Sequence, residues 1–272
     1  MTRAILIDDP ADPRLADYRA VRERDLVGRD GRFIAEGQVV LEKLVRAGRH
    51  PIRSVLLAEK RLAALEGLLA GLPLETPVYA ASQPVMDALV GFPIHRGILA
   101  VGERALSEPG ALLDALPAAA LVVGLVGIAN HDNMGGLFRN AAAFGAAGVL
   151  LDDDCCDPLY RKAIRVSVGS ALTIPFARAG TAPRMVEMLT AAGFSVVGLS
   201  PGGGVDLDDY SPGARTAVLF GAEGPGLPEA VLARVTTVRI AMAGGFDSLN
   251  VATSSGVVLH RLSAINRGGS GP

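Results

Sequence analysis

The sequence has little of what builds metal centres, disulfide frameworks or membrane spans. Its 272 residues include two cysteines, four histidines and no tryptophan. Because Cys155 and Cys156 are adjacent, they cannot close a loop in the usual way, and no cysteine–histidine spacing typical of a metal site is present. No apolar run reaches the ~20 residues that cross a bilayer. We therefore expect neither a metal nor a membrane partner.

The N-terminus lacks the long apolar segment of a secretion signal. Residues 1–15, MTRAILIDDPADPRL, are acidic instead. The sequence therefore predicts a cytoplasmic protein.

A large excess of charge is also missing. The formal net charge is −2, which argues against a protein that coats nucleic acid through bulk charge. Basic residues do cluster locally, at Arg19, Arg22, Arg24, Arg29 and Arg32. Such a cluster can meet phosphates, although a solvated helix face with interspersed acids explains it better when the cluster is taken alone.

The order of strands and helices predicts two α/β domains. Half of the residues are hydrophobic, which at this length supports two modest cores. In residues 1–104, short strands such as 32–36 and 52–58 alternate with helices, as in a layered α/β fold. Residues 105–120, with Glu108-Pro109-Gly110, are predicted to be a linker that contains a short helix.

From Leu121 the strands become continuous apolar runs. Runs without polar alternation are typical of strands buried on both faces, so residues 121–267 are predicted to form a mostly parallel sheet. Predicted helices between the strands include Met134–Phe144, Pro158–Val168 and Leu249–Asn266. Residues 268–272 are predicted to be a disordered tail.

Two glycine-rich loops can hold a polar ligand. In IAMAGGFDSLNVATSSGVVLH, from Ile240 to His260, a strand end leads through a loop into a helix that Asp247 or Ser248 can cap. Its open N-terminus offers unpaired N–H groups, although an ordinary strand-to-helix turn explains this segment alone. The second loop, Gly221–Gly226, lacks the GxGxxG spacing of dinucleotide-binding sites, and its sequence therefore disfavours a nicotinamide cofactor. Its backbone groups could still hold the edge of an adenine ring.

Three motifs occur in an order that resembles the SpoU (TrmH) family of SPOUT RNA 2′-O-ribose methyltransferases. They are Asn130 with Gly135–Gly145, Leu219–Leu227, and Ser248–Val251. The stretch from Cys156 through Arg165, Ser167 and Gly169 fits the same pattern, and the resemblance spans roughly residues 120–265. It implies a C-terminal α/β knot, a SPOUT trefoil knot with a mostly parallel sheet. Phe33–Gly37 and Arg96–Val101 resemble the family's N-terminal L30e-like α/β substrate-binding domain.

The resemblance implies an enzyme that uses S-adenosyl-L-methionine to methylate a ribose 2′-hydroxyl in rRNA or tRNA. It also implies a homodimer through the catalytic domain, with Arg139 able to act in the partner's pocket. The implied catalytic residues are Arg139, Asn130, Glu223, Ser248 and Asn250. The implied cofactor-binding residues are Leu199, Gly221, Gly224, Ile240, Met242 and Leu249. Arg29, Arg32 and Arg96 are our candidates for contacts with RNA.

Alternatives remain for several of these residues. Arg139 could be a strongly perturbed base or a guanidinium that clamps a phosphate, because free arginine stays protonated. Asn130 could be an ordinary turn former, and Ser248 and Asn250 could cap a helix while serving the site. His131 has a suitable unperturbed pKa for a general base but is not required by the motif.

Two other functions are alternatives to an RNA methyltransferase. The first is a catalytically inactive RNA-binding or ribosome-assembly factor on the same scaffold, against which the retained Arg139, Glu223, Ser248 and Asn250 argue. The second is a nucleotide-cofactor oxidoreductase, which the glycine spacing disfavours. The chain departs from the family in Ile240-Ala241-Met242, where proline is usual in the middle, and in Thr253-Ser254-Ser255, where alanine or valine is commoner. Neither departure removes a polar side chain assigned to chemistry.

Overall fold

The structure, a computed structural model, divides the chain into two compact units. One consists of Met1–Ala105 with Leu159–Thr173, and the other of Leu106–Pro158 with Ile174–Pro272. The residues it describes are 4–19, 26–28, 30–90, 97–105, 107–244 and 248–268.

The strands and α-helices alternate along the described residues. The strands are β1 (Ile5–Ile7), β2 (Arg32–Glu36), β3 (Ile52–Ala58), β4 (Val78–Ala81), β5 (Ile98–Glu103), β6 (Ala120–Leu125), β7 (Gly148–Leu151), β8 (Phe176–Arg178), β9 (Ser195–Leu199), β10 (Val205–Asp206), β11 (Arg215–Phe220) and β12 (Thr236–Arg239). The α-helices are α1 (Gln38–Ala47), α2 (Leu62–Leu69), α3 (Gln83–Val90), α4 (Pro109–Asp114), α5 (His131–Ala143), α6 (Arg161–Val166), α7 (Ala182–Ala191), α8 (Glu229–Leu232) and α9 (Val251–Gly268). Short 3₁₀ helices occupy Pro13–Tyr18, Glu59–Arg61 and Ser170–Leu172.

The first unit is built on a mixed five-stranded sheet with the order β1-β4-β3-β5-β2. The strands β1, β4 and β3 are parallel, whereas β5 runs antiparallel to both β3 and β2. Helix α1 buries Val40, Leu41 and Leu44, which recur at helical spacing on one face. It ends at Gly48, whose left-handed backbone (φ 58°) lets its N–H reach the carbonyl of Leu44.

The segment Leu159–Thr173 packs within this first unit, although the sequence places it in the second domain. Arg161 on α6 pairs with Glu36 on β2, with Nε and Oε2 3.7 Å apart. A Cβ at Gly169 would lie 3.3 Å from Cδ of Lys43 and 3.4 Å from Cα of Val40, so the segment lies directly against α1. Periodicity within the segment carries no information about which sheet it covers.

The second unit is built on a seven-stranded sheet with the order β10-β12-β9-β11-β6-β7-β8. Every neighbouring pair in it is parallel. All residues of β6 and β7 are buried, which explains why their sequences are continuous apolar runs. The α/β class with a mostly parallel sheet is confirmed; the trefoil knot stays a prediction.

Several element bounds differ from those expected. The short helix expected in the linker 105–120 is α4, but its Leu112 and Leu113 are buried in the core of the second unit, so this stretch is part of that unit. Helix α5 begins at His131 rather than Met134, and α9 includes Gly268, which was expected in the tail. Residues 269–272 lie outside the described residues. Across the stretches that the structure describes, no helix combines the length and apolar character needed to cross a membrane.

Candidate active site

A cavity of about 500 Å³ lies in the second unit where three neighbouring strands end. The strands β12, β9 and β11 are adjacent and parallel, so the loops that follow them meet at one edge of the sheet. The start of α9 completes the wall. The lining residues are Leu199, Ser200, Pro201, Phe220, Gly221, Ala222, Glu223, Gly224, Pro225, Gly226, Leu227, Leu232, Ile240, Met242, Ser248, Leu249, Asn250, Val251 and Ser254.

The loop after β11 forms a tight backbone cradle. Ala222 and Gly226 form an isolated antiparallel bridge, and the N–H of Gly226 donates to the carbonyl of Ala222 at 3.0 Å. Gly224 and Gly226 have φ angles of 86° and 70°, which favour glycine. At Gly221 a Cβ would lie 2.2 Å from the carbonyl carbon of Gly226, so no side chain fits there. The loop therefore offers backbone groups, which a flat polar ligand can approach closely.

Asn250 caps α9 at the rim of the cavity. Its Oδ1 accepts hydrogen bonds from the N–H groups of Ala252 at 2.9 Å and Thr253 at 3.2 Å. The capping side chain is thus that of Asn250 and not that of Ser248, which lines the cavity; Asp247, the other candidate, lies outside the described residues.

The amide nitrogen of Asn250 connects two other elements. Its Nδ2 donates to Oε1 of Glu223 at 2.7 Å and to Oδ1 of Asn133 at 2.9 Å. The two hydrogen bonds that this amide donates and the two that it accepts at the helix cap use its full hydrogen-bonding capacity. The loop after β11 and the first turn of α5 are therefore both tied to the start of α9.

Asn133 is the residue of this network that the sequence did not single out. It is buried, at 7% exposure, whereas Asn130 is exposed and caps α5 by accepting from the N–H groups of Asp132 at 2.8 Å and Asn133 at 3.4 Å. The sequence has two asparagines three residues apart before its predicted helix at Met134, but that spacing does not indicate which of them caps the helix and which lies one turn inside. Asn130 does not line the cavity.

Arg139 also stands apart from the cavity of its own chain. It is exposed on α5 and is not one of the lining residues. Of the predicted site residues, the structure brings together Leu199, Gly221, Gly224, Ile240, Met242, Leu249, Glu223, Ser248 and Asn250 around one cavity, and leaves Asn130 and Arg139 outside it.

Helices α5 and α9 cross closely through small residues. A Cβ at Gly136 would lie 2.7 Å from Cβ of Ala252, so a larger residue would separate the helices. Nδ2 of Asn140 donates to the carbonyl of Ala252 at 2.7 Å and to Oγ of Ser255 at 2.9 Å. Ser255 is fully buried, and its hydroxyl is satisfied here, which accounts for a serine where the family commonly has alanine or valine.

A buried carboxylate fixes the loop that leads into α5. Asp152 accepts from the N–H of Gly127 at 3.0 and 3.1 Å and from the N–H of Cys155 at 3.1 Å. Arg178 donates to the carbonyls of Asp152 at 2.9 Å and Cys155 at 3.1 Å.

Burial raises the pKa of the Cys155 thiol and raises that of Cys156 to about 11, so both stay protonated and poorly nucleophilic near neutral pH.

Of the three arginines predicted to contact RNA, the structure describes only Arg32. In the first unit Arg32 forms an ion pair with Asp17, with Nη1 and Oδ1 2.9 Å apart. Arg29 and Arg96 lie outside the described residues. Over the residues that the structure describes, no group of three or more histidine, cysteine, aspartate or glutamate side chains could hold a metal ion.

The cavity's chemistry suits an organic ligand with a flat polar part. Its walls combine apolar side chains such as Ile240, Met242 and Leu249 with backbone groups of the Gly221–Gly226 cradle. Small-molecule sites commonly have this size and this mixture of apolar walls with a few fixed polar groups.

Known proteins resemble the chain over this region and beyond it. Residues 120–260 match the model of the SpoU rRNA Methylase family. An uncharacterized tRNA/rRNA methyltransferase of Mycobacterium tuberculosis is 38% identical over 262 residues, which cover 93% of this chain and 89% of that protein.

Solved structures resemble the whole fold. The SpoU methyltransferase AviRb from Streptomyces viridochromogenes, in complex with the cofactor AdoMet, gives a TM-score of 0.79 at 26% identity, covering 96% of this chain and 100% of that one. An RNA 2′-O ribose methyltransferase gives a TM-score of 0.78 at 25% identity, covering 97% of this chain and 100% of that one. The resemblance inferred from the three motifs is confirmed: this chain belongs to the SpoU rRNA methylase family.

Proposed function

We propose that this chain transfers a methyl group from S-adenosylmethionine to a ribose 2′-hydroxyl of ribosomal or transfer RNA. The observation that carries the proposal is the convergence of two of the three motifs, Leu219–Leu227 and Ser248–Val251, on one cavity, with Glu223, Asn250 and Asn133 joined at its rim. The names of the similar proteins support it: one is a tRNA/rRNA methyltransferase, one binds AdoMet, and one is a 2′-O ribose methyltransferase.

The cavity has features that fit this cofactor. A Cβ at Gly221 would collide with backbone, so the cradle presents main-chain groups where an adenine edge can be held. Leu199, Ile240, Met242 and Leu249 supply apolar lining around it. When bound, S-adenosylmethionine supplies an electrophilic methyl group on a sulfonium.

The protein's own task is to orient the ribose hydroxyl and to help remove its proton. Correct orientation can lower the barrier by ~7–11 kcal/mol. We assign Asn250 and Asn133 to positioning, because the amide of Asn250 is fully used in holding Glu223, Asn133 and the start of α9. Glu223 is exposed and bonded to Asn250 through Oε1, and it accepts a further hydrogen bond from Arg139 or the ribose.

We assign Arg139 to clamp the phosphate beside the target ribose and to polarise its hydroxyl. A guanidinium has five N–H donors and no acceptor, which suits a clamp better than a base. Arg139 is exposed and absent from its own chain's cavity lining, so we propose that it serves the cavity of a second copy in a homodimer.

Subunit mixing tests this arrangement. A dimer of one Arg139→Ala chain and one chain with a cofactor-defective cavity contains one complete site if Arg139 acts across the dimer. Random co-assembly of the two inactive variants should then restore about a quarter of wild-type activity. No recovery after co-expression, with mixed dimers verified by differential tagging, would place Arg139 in its own chain's site.

The position of the methyl group is tested by alkaline digestion. RNA from cells that lack this protein is incubated with the protein and methyl-labelled S-adenosylmethionine, then hydrolysed with alkali. A 2′-O-methyl group blocks cleavage of the adjacent phosphodiester, so the label should appear in dinucleotides. Label in mononucleotides would mean base methylation and would refute the ribose assignment. Arg139→Ala should bind S-adenosylmethionine normally but transfer no label.

A further inference from the structure

A second cleft, of about 520 Å³, lies in the first unit and is lined by three arginines. They are Arg14, Arg32 and Arg53, and among the lining residues that the structure describes the only carboxylate is that of Asp17. The remaining lining residues are Pro13, Ala16, Ser54, Pro77 and Tyr79. From the sequence, Arg32 is a candidate RNA contact, Arg53 belongs to the adjoining basic cluster, and Arg14 is not singled out.

Asp17 holds two of the guanidinium groups together. Its Oδ1 is 2.9 Å from Nη1 of Arg32, and its Oδ2 is 3.3 Å from Nε of Arg53. The side chain of Arg32 is 27% exposed and that of Arg53 is 48% exposed. One negative charge thus fixes two positive groups at the same cleft, and it leaves N–H donors on both.

Two of the arginines have further carboxylate partners. Arg14 donates from Nε to Oδ1 of Asp12 at 3.0 Å and from Nη2 to Oδ2 at 2.6 Å, and the Asp12 side chain is 15% exposed. The Arg53–Glu103 pair, with Nη1 and Oε1 3.4 Å apart, is more exposed, and neither Asp12 nor Glu103 lines the cleft. Because exposed ion pairs are weak, an incoming anion can replace Glu103 at little cost, whereas Arg14 stays paired with Asp12 and offers the N–H donors of Nη1.

We propose that this cleft binds a phosphodiester group of the RNA substrate. The planar guanidinium matches phosphate oxygens in a bidentate geometry, and Pro13, Pro77 and Tyr79 provide apolar lining beside them. The cleft has the volume of an ordinary small-ligand site, which is sufficient for one nucleotide. This inference rests on the proposed function, because it takes RNA as the substrate, and it assigns the first unit a contact separate from the methyl-transfer cavity.

The salt dependence of RNA binding tests the inference. In the full-length protein, Arg14→Gln and Arg53→Gln are combined, and RNA affinity is measured between 50 and 200 mM salt. Loss of one phosphate contact should lower the slope of log K against log salt by about 0.7 to 0.9. The corresponding double lysine variant keeps the charges and should keep the slope.

Arg234→Gln is the matched control. Arg234 is in the second unit, its side chain is 49% exposed, and its Nη1 lies 2.9 Å from Oε1 of exposed Glu187, much as Arg53 pairs with exposed Glu103. We expect this variant to bind RNA with the wild-type slope. Thermal unfolding and S-adenosylmethionine affinity establish that each variant is folded.

The outcomes separate the cleft from the proposed function. If the double glutamine variant binds RNA with the wild-type slope while the wild type methylates RNA, the cleft proposal fails alone. If the wild type binds S-adenosylmethionine but no RNA, the proposed function fails and the cleft proposal with it. A variant that loses affinity for AMP or inorganic phosphate, yet binds RNA unchanged, would show a site for free anions and would also overturn the proposal.

Discussion

Replacing Gly221 with alanine tests the cradle directly. The new Cβ would lie 2.2 Å from the carbonyl carbon of Gly226 and 2.4 Å from the nitrogen of Leu227. These are backbone atoms, so no rotation of a side chain can relieve the overlap. To reach ordinary contact at 3.4 Å, the backbone of the loop must move by about 1.2 Å. A displacement of this size takes backbone groups of the cradle out of hydrogen-bonding range of a bound ligand, and each hydrogen bond lost in this way costs ~1–3 kcal/mol.

We therefore expect Gly221→Ala to weaken S-adenosylmethionine binding about 100-fold, or ~2.7 kcal/mol. Isothermal titration gives the affinity, and thermal unfolding shows that the variant is folded. The matched control is Gly202→Ala, because Gly202 follows β9 near the same cavity and a Cβ there meets nothing within 4 Å. Its affinity should stay within about threefold of wild type. If Gly221→Ala binds as well as this control, the cradle is not the cofactor site.

Further predictions concern the rim and the two cores. Asn250→Asp keeps the capping oxygen but sets a second carboxylate 2.7 Å from that of Glu223. Because the two negative charges repel each other, we expect the rate of methyl transfer to fall at least ~100-fold and to recover partly when Glu223→Gln is added. No recovery would argue against this contact. Arg215→Met loses hydrogen bonds to two carbonyls and a cation–π contact at 4.3 Å, so unfolding should cost about 2 kcal/mol less in denaturant titrations, with cofactor affinity unchanged. Burial, aided by neighbouring positive charges, lowers the pKa of His50 to about 4, whereas an unfolded histidine titrates near 6.5. The unfolded state therefore binds the proton more readily, and the free energy of unfolding should fall as pH drops from about 6.5 to 4. The variant His50→Gln should show a flatter dependence of stability on pH in that range. An unchanged pH dependence in His50→Gln would exclude His50 as its source.

The sequence predicted several of the strands well. The bounds expected for 32–36 and 52–58 are those of β2 and β3, and the parallel sheet of the second unit follows from runs such as that of β6. The short strands β8 and β10 have three and two residues, too few for any periodicity to be read. They exist because neighbouring strands supply hydrogen-bond partners, which local sequence does not specify.

The site could be predicted in its loops but not in its full network. The resemblance implied that the Gly221 loop, Ile240 and Leu249 hold one cofactor, and in the structure all three line one cavity. Their roles in binding stay predictions. The participation of Asn133 depends on the register between α5 and α9, which Gly136 and Ala252 set by close contact. That distance is a tertiary property, so the choice between Asn130 and Asn133 could not be made from spacing alone.

Residues 159–173 pack within the first unit although they lie between two strands of the second unit in the chain, and this limits how the first unit can be cut out or exchanged. A segment that lies between β7 and β8 in the chain covers α1 and β2 of the first unit, where Gly169 touches Val40 and Lys43. A fragment ending at Ala105 would leave that patch bare. Swapping recognition modules between relatives by a single crossover would therefore join mismatched surfaces, and a working chimera must exchange both stretches together.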